Sequence, residues 1–169
     1  MKKILIVGGG IAGPALAIQL KKHGVSCEVT LIEQAPEFKN IGYGIAVWGN
    51  GRNVLREIGI DQGVVTREGY EIPWEVFETP GHKILQTFLL DRFKKFGPTI
   101  AIPRAIFHKT LIDQLDPGIV RLNTKIASIT KNSREGVEVV FSNGETHKYD
   151  LLVAADGIHS WTREQVFGP

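Results

Sequence analysis

Gly8, Gly9, Gly10, Ile11, Ala12 and Gly13 form a G-x-G-x-x-G run near the N-terminus. The chemistry this spacing serves is phosphate binding. Gly8 permits a tight turn, Gly10 lets bare backbone approach a diphosphate, and Gly13 lets a helix seat closely on a strand. A helix starting at Ile11 and Ala12 aims free N–H groups and the positive end of its dipole at the phosphates. Glu33 follows Gly13 by twenty residues, at the end of an apolar run. There its carboxylate can accept hydrogen bonds from ribose hydroxyls, and its charge would repel a 2′-phosphate. A second constellation lies near the other end, where Asp156-Gly157 follows the apolar Leu151 to Ala154 and leads into Ser160 and Arg163.

Particular elements must hold these residues in place. Lys3 to Val7 is a short β-branched apolar run, the pattern of a strand buried on both faces of a parallel sheet. Ile11 to His23 has helical spacing through Ile11, Ala15 and Ile18, with Lys21 and Lys22 at its C-terminal end and Gly24 as its stop. Cys27 to Ile32 reads as a second strand, completing a β-α-β unit with a parallel crossover. Residues 34–43 read as loop, 50–58 as a helix stopped by Gly59, and 104–115 as a further helix. Trp74, Val76 and Phe77, then Ile84, Leu85, Phe88 and Leu89, suggest a hairpin pivoting on Pro80-Gly81. The period then becomes two. Strands are expected in series at 120–123, 126–130, 137–141 and 146–149, with turns at Asn132-Ser133 and Asn143-Gly144, before a buried strand from Leu151 to Ala154.

The segment Asp150 to Arg163 resembles the D-G signature of FAD-dependent monooxygenases of the aromatic-hydroxylase (para-hydroxybenzoate hydroxylase-like) family, with Asp156, Gly157, Ser160 and Arg163 all in place. The resemblance runs the length of the chain. It implies an α/β, Rossmann-like FAD-binding fold with a parallel sheet, a β-meander and a partial substrate-domain β segment. Asp156 would lie near the pyrophosphate–ribityl region of FAD. Gly42, Tyr43, Gly44 and Ile45, with Asn50, resemble the loop alongside the flavin. Arg104, opening a helix three residues before Phe107, resembles an R-x-x-L element whose Arg contacts FAD, and the strand at Ile126 would pass the adenine. The cofactor-binding residues implied are Gly8, Gly10, Ile11, Ala12, Gly13, Glu33, Gln34, Gly44, Ile45, Arg104, Ile126, Asp156 and Gly157. Gln34 and Lys39 stand where the family often carries Arg.

Family members are well over twice this length. The resemblance therefore implies that residues 1–169 are an FAD-binding domain, with about 60–100 adding strands to an incomplete substrate domain. A C-terminal half or a partner chain would supply the rest. The implied reaction takes NAD(P)H and O₂ to an aromatic or other electron-rich small molecule. Two alternatives remain open: another FAD enzyme on this fold, of prenyl-lipid reductase or epoxidase type, or a non-catalytic nucleotide-binding module. No residue stands out as a catalytic acid or base.

Composition narrows the field further. Twenty Lys and Arg against 18 Asp and Glu leave a formal charge of +2, and the basic residues are scattered, so no nucleic-acid surface is expected. One cysteine, Cys27, precludes an internal disulfide, and His23, His82, His108, His147 and His159 lack metal-ligand spacing. No run is apolar and long enough to span a membrane, and a cytoplasmic location is expected.

Overall fold

A computed structural model describes residues 1–39, 42–89, 95–132 and 136–168, without the side chains of 61, 62, 131 and 132. The chain divides into two units, Met1–Lys39 with Leu111–Pro169, and Asn40–Thr110. It begins with β1 (Lys2–Val7), α1 (Ala12–Lys22) and β2 (Cys27–Ile32). Next come β3 (Ile45–Val47), α2 (Gly49–Glu57), a π turn at Asp61–Val65, α3 (Thr66–Glu68), β4 (Tyr70–Glu71), β5 (Trp74–Glu78), β6 (Ile84–Leu89) and β7 (Ile100–Ile102). After α4 (Arg104–Ile112) come β8 (Val120–Arg121), β9 (Ile126–Asn132), β10 (Gly136–Phe141), β11 (Thr146–Tyr149), β12 (Leu151–Ala154) and α5 (Trp161–Phe167).

The first unit is built on a four-stranded parallel sheet in the order β12-β1-β2-β8. Strand β1 is central, and alternation along it explains its unbroken apolar sequence. Ile4 and Ile6 pack with Leu31 and with Ala17 of α1 on one face. Leu5 packs with Ile32, Val139, Phe141 and Tyr149 on the other, where Val7 also joins. That second face is covered by the antiparallel meander β9-β10-β11. Helix α1 closes in a Schellman pattern, with Gly24 N–H donating to Lys21 O and Val25 N–H to Leu20 O, both at 3.0 Å. Pro14 lies in its first turn, where no N–H is needed. At the base of the sheet, Asp150 accepts from Lys2 Nζ and from Lys3 N–H, each at 2.7 Å, tying the start of β12 to the start of β1. The Lys2 ammonium, followed by the Lys3 N–H, holds the Asp150 carboxyl below its usual pKa.

The strand expected at 120–123 is shorter and differently placed. It ends at Arg121 and runs parallel to β2, with Leu31 opposite Val120, rather than opening the meander. Asn123 stops it with φ 50°, a left-handed conformation that Asn tolerates better than most residues. Four alternating residues carry no information about which neighbour they will pair with. The turn at Asn132-Ser133 falls partly outside the described residues, as do residues 40 and 41 of the 34–43 loop.

In the second unit β3, β7 and β4 form a small antiparallel sheet in the order β3-β7-β4, with Val47, Ile100 and Ile102 buried. Ile45, expected in a loop, is instead the first residue of β3 and pairs with Ile102. Strands β5 and β6 make a two-stranded antiparallel hairpin closed by Thr79 N–H to Lys83 O at 2.9 Å. Its Trp74, Phe77, Ile84, Leu85 and Leu89 are each more than half exposed.

Candidate functional site

Three strand ends meet at Gly8. Its N–H donates to Ile32 O at the end of β2 at 2.9 Å, and Ala155 N–H donates to Val7 O at 2.8 Å. A Cβ on Gly8 would stand 2.3 Å from Ala155 O, and its φ of 113° is one that L side chains rarely adopt. The glycine run and the Asp156-Gly157 turn, some 147 positions apart, are thus one backbone junction. Gly13 serves a different purpose. A Cβ there would lie 2.1 Å from Gly8 O and 3.2 Å from Ile6 Cγ2, so α1 reaches β1 only because that hydrogen is small. Around Gly10 nothing lies within 4 Å of a Cβ position.

Gly10 opens on a cavity of about 520 Å³ in the first unit. Gly8, Glu33, Gln34, Ile126, Asp156 and Gly157 line it as well, so seven of the expected residues are brought together. Ile11 is the N-cap residue of α1, Ala12 its first residue, and Gly13 faces inward beneath it. Gly44, Ile45 and Arg104 belong to the second unit, where the stem of Arg104 packs on Gly42, with Cδ 3.1 Å from the Cβ position of that glycine.

The carboxylate of Glu33 is fixed by backbone. Oε2 accepts from Gly9 N–H and Oε1 from Ala35 N–H, both at 2.9 Å. A carboxylate offers about four lone-pair positions, so both oxygens can still receive ligand hydroxyls. Gly9, an unspecified position in the motif, proves constrained: a Cβ there would meet Phe38 Cε1 at 2.7 Å and Glu33 Cβ at 3.1 Å. The adjoining wall is bonded to the exit of β2, with Asn123 N–H on Ala35 O and Thr124 N–H on Glu33 O, each 2.9 Å.

Asp156 also lines the cavity and organises α5. Its Oδ1 accepts from Ser160 Oγ at 2.5 Å and its Oδ2 from Thr162 N–H at 2.9 Å. Ser160 is the helix N-cap and accepts in turn from Arg163 N–H at 2.9 Å. Burial alone would raise the Asp156 pKa, but the bonds from Ser160 and the Thr162 N–H outweigh it and hold the carboxyl below its usual value. Arg163, the last signature position, is a surface cation that reaches Ile158 O at 3.4 Å and Glu164 at 4.0 Å.

Ser160→Ala should therefore remove an N-cap, costing about 1 kcal/mol at neutral pH, and raise the Asp156 pKa. An aspartate depressed on folding adds stability above its unfolded pKa of about 3.9, which is lost as pH falls through the folded value. The variant should lose less than the parent on acidification through that window. Thermal melts across pH 3 to 7 measure this, and parallel curves would contradict the role given to Ser160.

Val7, Thr124, Lys125, Ala155, His159, Trp161 and Thr162 also line the cavity and were not expected there. Val7 ends β1 and Ala155 directly follows β12, each just before its motif, a position legible in hindsight. Nothing in the sequence marks Lys125 or Trp161. Among the described residues, no three His, Cys, Asp or Glu side chains cluster as metal ligands do, and no helix is long and apolar enough to cross a membrane.

Residues 1–167 match the family described as FAD binding domain. The chain is 31% identical to 3-amino-4-hydroxybenzoate 2-monooxygenase PtmB3 of Streptomyces platensis, over 98% of its own length and 42% of that protein's. It is 29% identical to 6-hydroxynicotinate 3-monooxygenase of Pseudomonas fluorescens, over 99% of its own length and 43% of the relative. The crystal structure of Klebsiella pneumoniae HpxO complexed with FAD and uric acid matches with a TM-score of 0.79 at 26% identity, covering 99% of this chain and 42% of that one. The chain thus spans 42–43% of the length of these curated relatives.

Proposed function

This chain belongs to the FAD binding domain family, and from that membership we propose that it is the FAD-binding part of a flavin-dependent monooxygenase. The observation that carries this reading is the convergence of open backbone at Gly10, the Glu33 carboxylate and the Asp156 carboxylate on one cavity of about 520 Å³. The residues present fit the cofactor. Gly10 offers unobstructed space to a diphosphate, and the N-cap Ile11 with the first residues of α1, Ala12 and Gly13, brings the helix N-terminus to it. Glu33 and Gln34 would take the adenosine ribose, and Ile126 would border the adenine. Asp156 and Gly157 would meet the ribityl chain, with Ser160 keeping Asp156 ionised as a hydrogen-bond acceptor. Gly44, Ile45 and Arg104 are assigned to the flavin end on the strength of family resemblance.

FAD supplies the redox chemistry when bound; the chain's residues position it and exclude water. These relatives are monooxygenases named for aromatic substrates, 3-amino-4-hydroxybenzoate and 6-hydroxynicotinate. By extension, the substrate proposed here is an aromatic or other electron-rich small molecule, with NAD(P)H as the co-substrate. Residues 60–100 would contribute strands to a substrate domain that a C-terminal half or a partner chain completes; the exposed apolar residues of the β5–β6 hairpin support this. A cytoplasmic location goes with this reading.

Calorimetric titration tests the cofactor. FAD should bind more tightly than NAD or NADP, and NAD binding at least as tightly as FAD would overturn the assignment. Glu33→Gln should cost about 1–3 kcal/mol of FAD affinity, the scale of a lost charge-assisted hydrogen bond.

A further inference from the structure

The cavity wall carries two carboxylates beside the place proposed for an anionic nucleotide. Glu33 and Asp156 both line it, while the N–H groups of the glycine loop supply dipoles but no net charge. Among the described residues lining it, one Lys or Arg side chain is present, that of Lys125, and His159 is the one other basic group. The backbone of Lys125 is pinned on both sides. Thr124 N–H donates to Glu33 O, and Ser142 N–H donates to Lys125 O, each at 2.9 Å. Ile126, the next residue, opens β9 and pairs with Phe141. The side chain, by contrast, is exposed and uncommitted. Lys2 and Lys21 hold Asp150 and Asp116, whereas Lys125 forms no side-chain hydrogen bond or ion pair among the described residues.

We infer that Lys125 is the cation that draws the anionic diphosphate nucleotide into this cavity and offsets the two carboxylates. The inference rests on the FAD reading and adds a residue to it. A fixed backbone with an uncommitted ammonium suits the role: the residue is anchored at the cavity wall, and its long flexible stem can follow the phosphates. Because the group is exposed, its contribution must be sensitive to salt.

The experiment is calorimetric titration of the parent, Lys125→Gln and Lys125→Arg with FAD, ADP and adenosine, at about 50 mM and about 500 mM salt. Lys125→Gln should weaken FAD and ADP about tenfold at low salt, the scale of one charge-assisted contact. Adenosine, which carries no phosphate, should bind all three proteins alike. The loss should shrink at high salt, and Lys125→Arg should restore affinity. If the parent binds FAD and Lys125→Gln binds ADP as tightly and with the same salt dependence, the inference fails and the FAD reading stands. An equal loss for adenosine would show a structural role and also overturn it. If the parent binds neither FAD nor ADP, the FAD reading fails and takes this inference with it.

Discussion

Gly13→Val should unfold the chain at temperatures where Gly10→Ala leaves it intact. A Cβ at Gly13 would stand 2.1 Å from the Gly8 carbonyl oxygen, and the obstacle is backbone, which cannot swing aside as a side chain can. Relief requires α1 to lift from β1. That separates Ala17 from Ile4, Ile6 and Leu31, the cluster that seals one face of the sheet. Valine adds two further methyl groups to the same gap. Overpacking of a close-packed core costs about 1–3 kcal/mol and more where the backbone must move, against a total stability of about 5–15 kcal/mol for a domain. A loss of about 3 kcal/mol corresponds to roughly 6–12 °C in melting temperature at this chain length. At Gly10 a methyl group meets nothing within 4 Å, so the apo variant should melt with the parent while binding FAD less well. Melting curves of the two ligand-free variants decide the matter, and equal midpoints would refute the packing role of Gly13.

The second large effect concerns turnover. Given FAD, NADPH, O₂ and an aromatic substrate, this chain alone should consume NADPH slowly and release hydrogen peroxide without product. The same residues joined to a matching C-terminal half should couple NADPH consumption to hydroxylation. In the reading proposed above, the described residues hold the nucleotide end of the cofactor: the backbone from Gly10 into α1, Glu33, and Asp156 braced by Ser160. The chain covers 42–43% of the relatives' length, and the substrate-side enclosure is assigned to the remainder. Water excluded from a closed site is what protects reactive intermediates from side reactions. Loss of positioning alone can lower productive turnover about a hundredfold. The assay is NADPH consumption, peroxide release and product analysis on both proteins. Coupled hydroxylation by the isolated chain would show that these residues enclose far more of the active site than proposed.

The geometry of the glycine junction in the candidate site was legible in the sequence because its physics is local. Gly8, Gly10 and Gly13 mark a strand–turn–helix junction, and Glu33 follows at the span of one helix and one strand. Strand β1 reads as buried because both its faces are covered, so its residues are apolar without alternation. What stayed hidden depends on contacts remote in sequence. Gly9 looks like filler until Phe38 and Glu33 close over it. Strand β8 looks like the start of the meander until its hydrogen bonds go to β2. Lys125 looks like any surface lysine until the chain turns at Asn123 and brings it to the cavity wall. Strands β3, β4 and β7 are two or three residues long, too short for any period to register.

The central place of β1 has a consequence for synthesis. Its two neighbours are β2, which begins at Cys27, and β12, which begins at Leu151. During synthesis β1 therefore waits for β12, 147 residues further along the chain, before its second edge is covered. At about 5–20 residues per second that interval is roughly 7–30 seconds. Throughout it, the row of backbone donors and acceptors from Ile4 to Val7 that will face Leu151 to Ala154 has no native partner. Exposed edges of this kind pair readily with other chains. Co-translational chaperones should accordingly engage the nascent chain early and release it only when residues past 154 emerge, whereas a permuted chain that starts at β12 should need them far less.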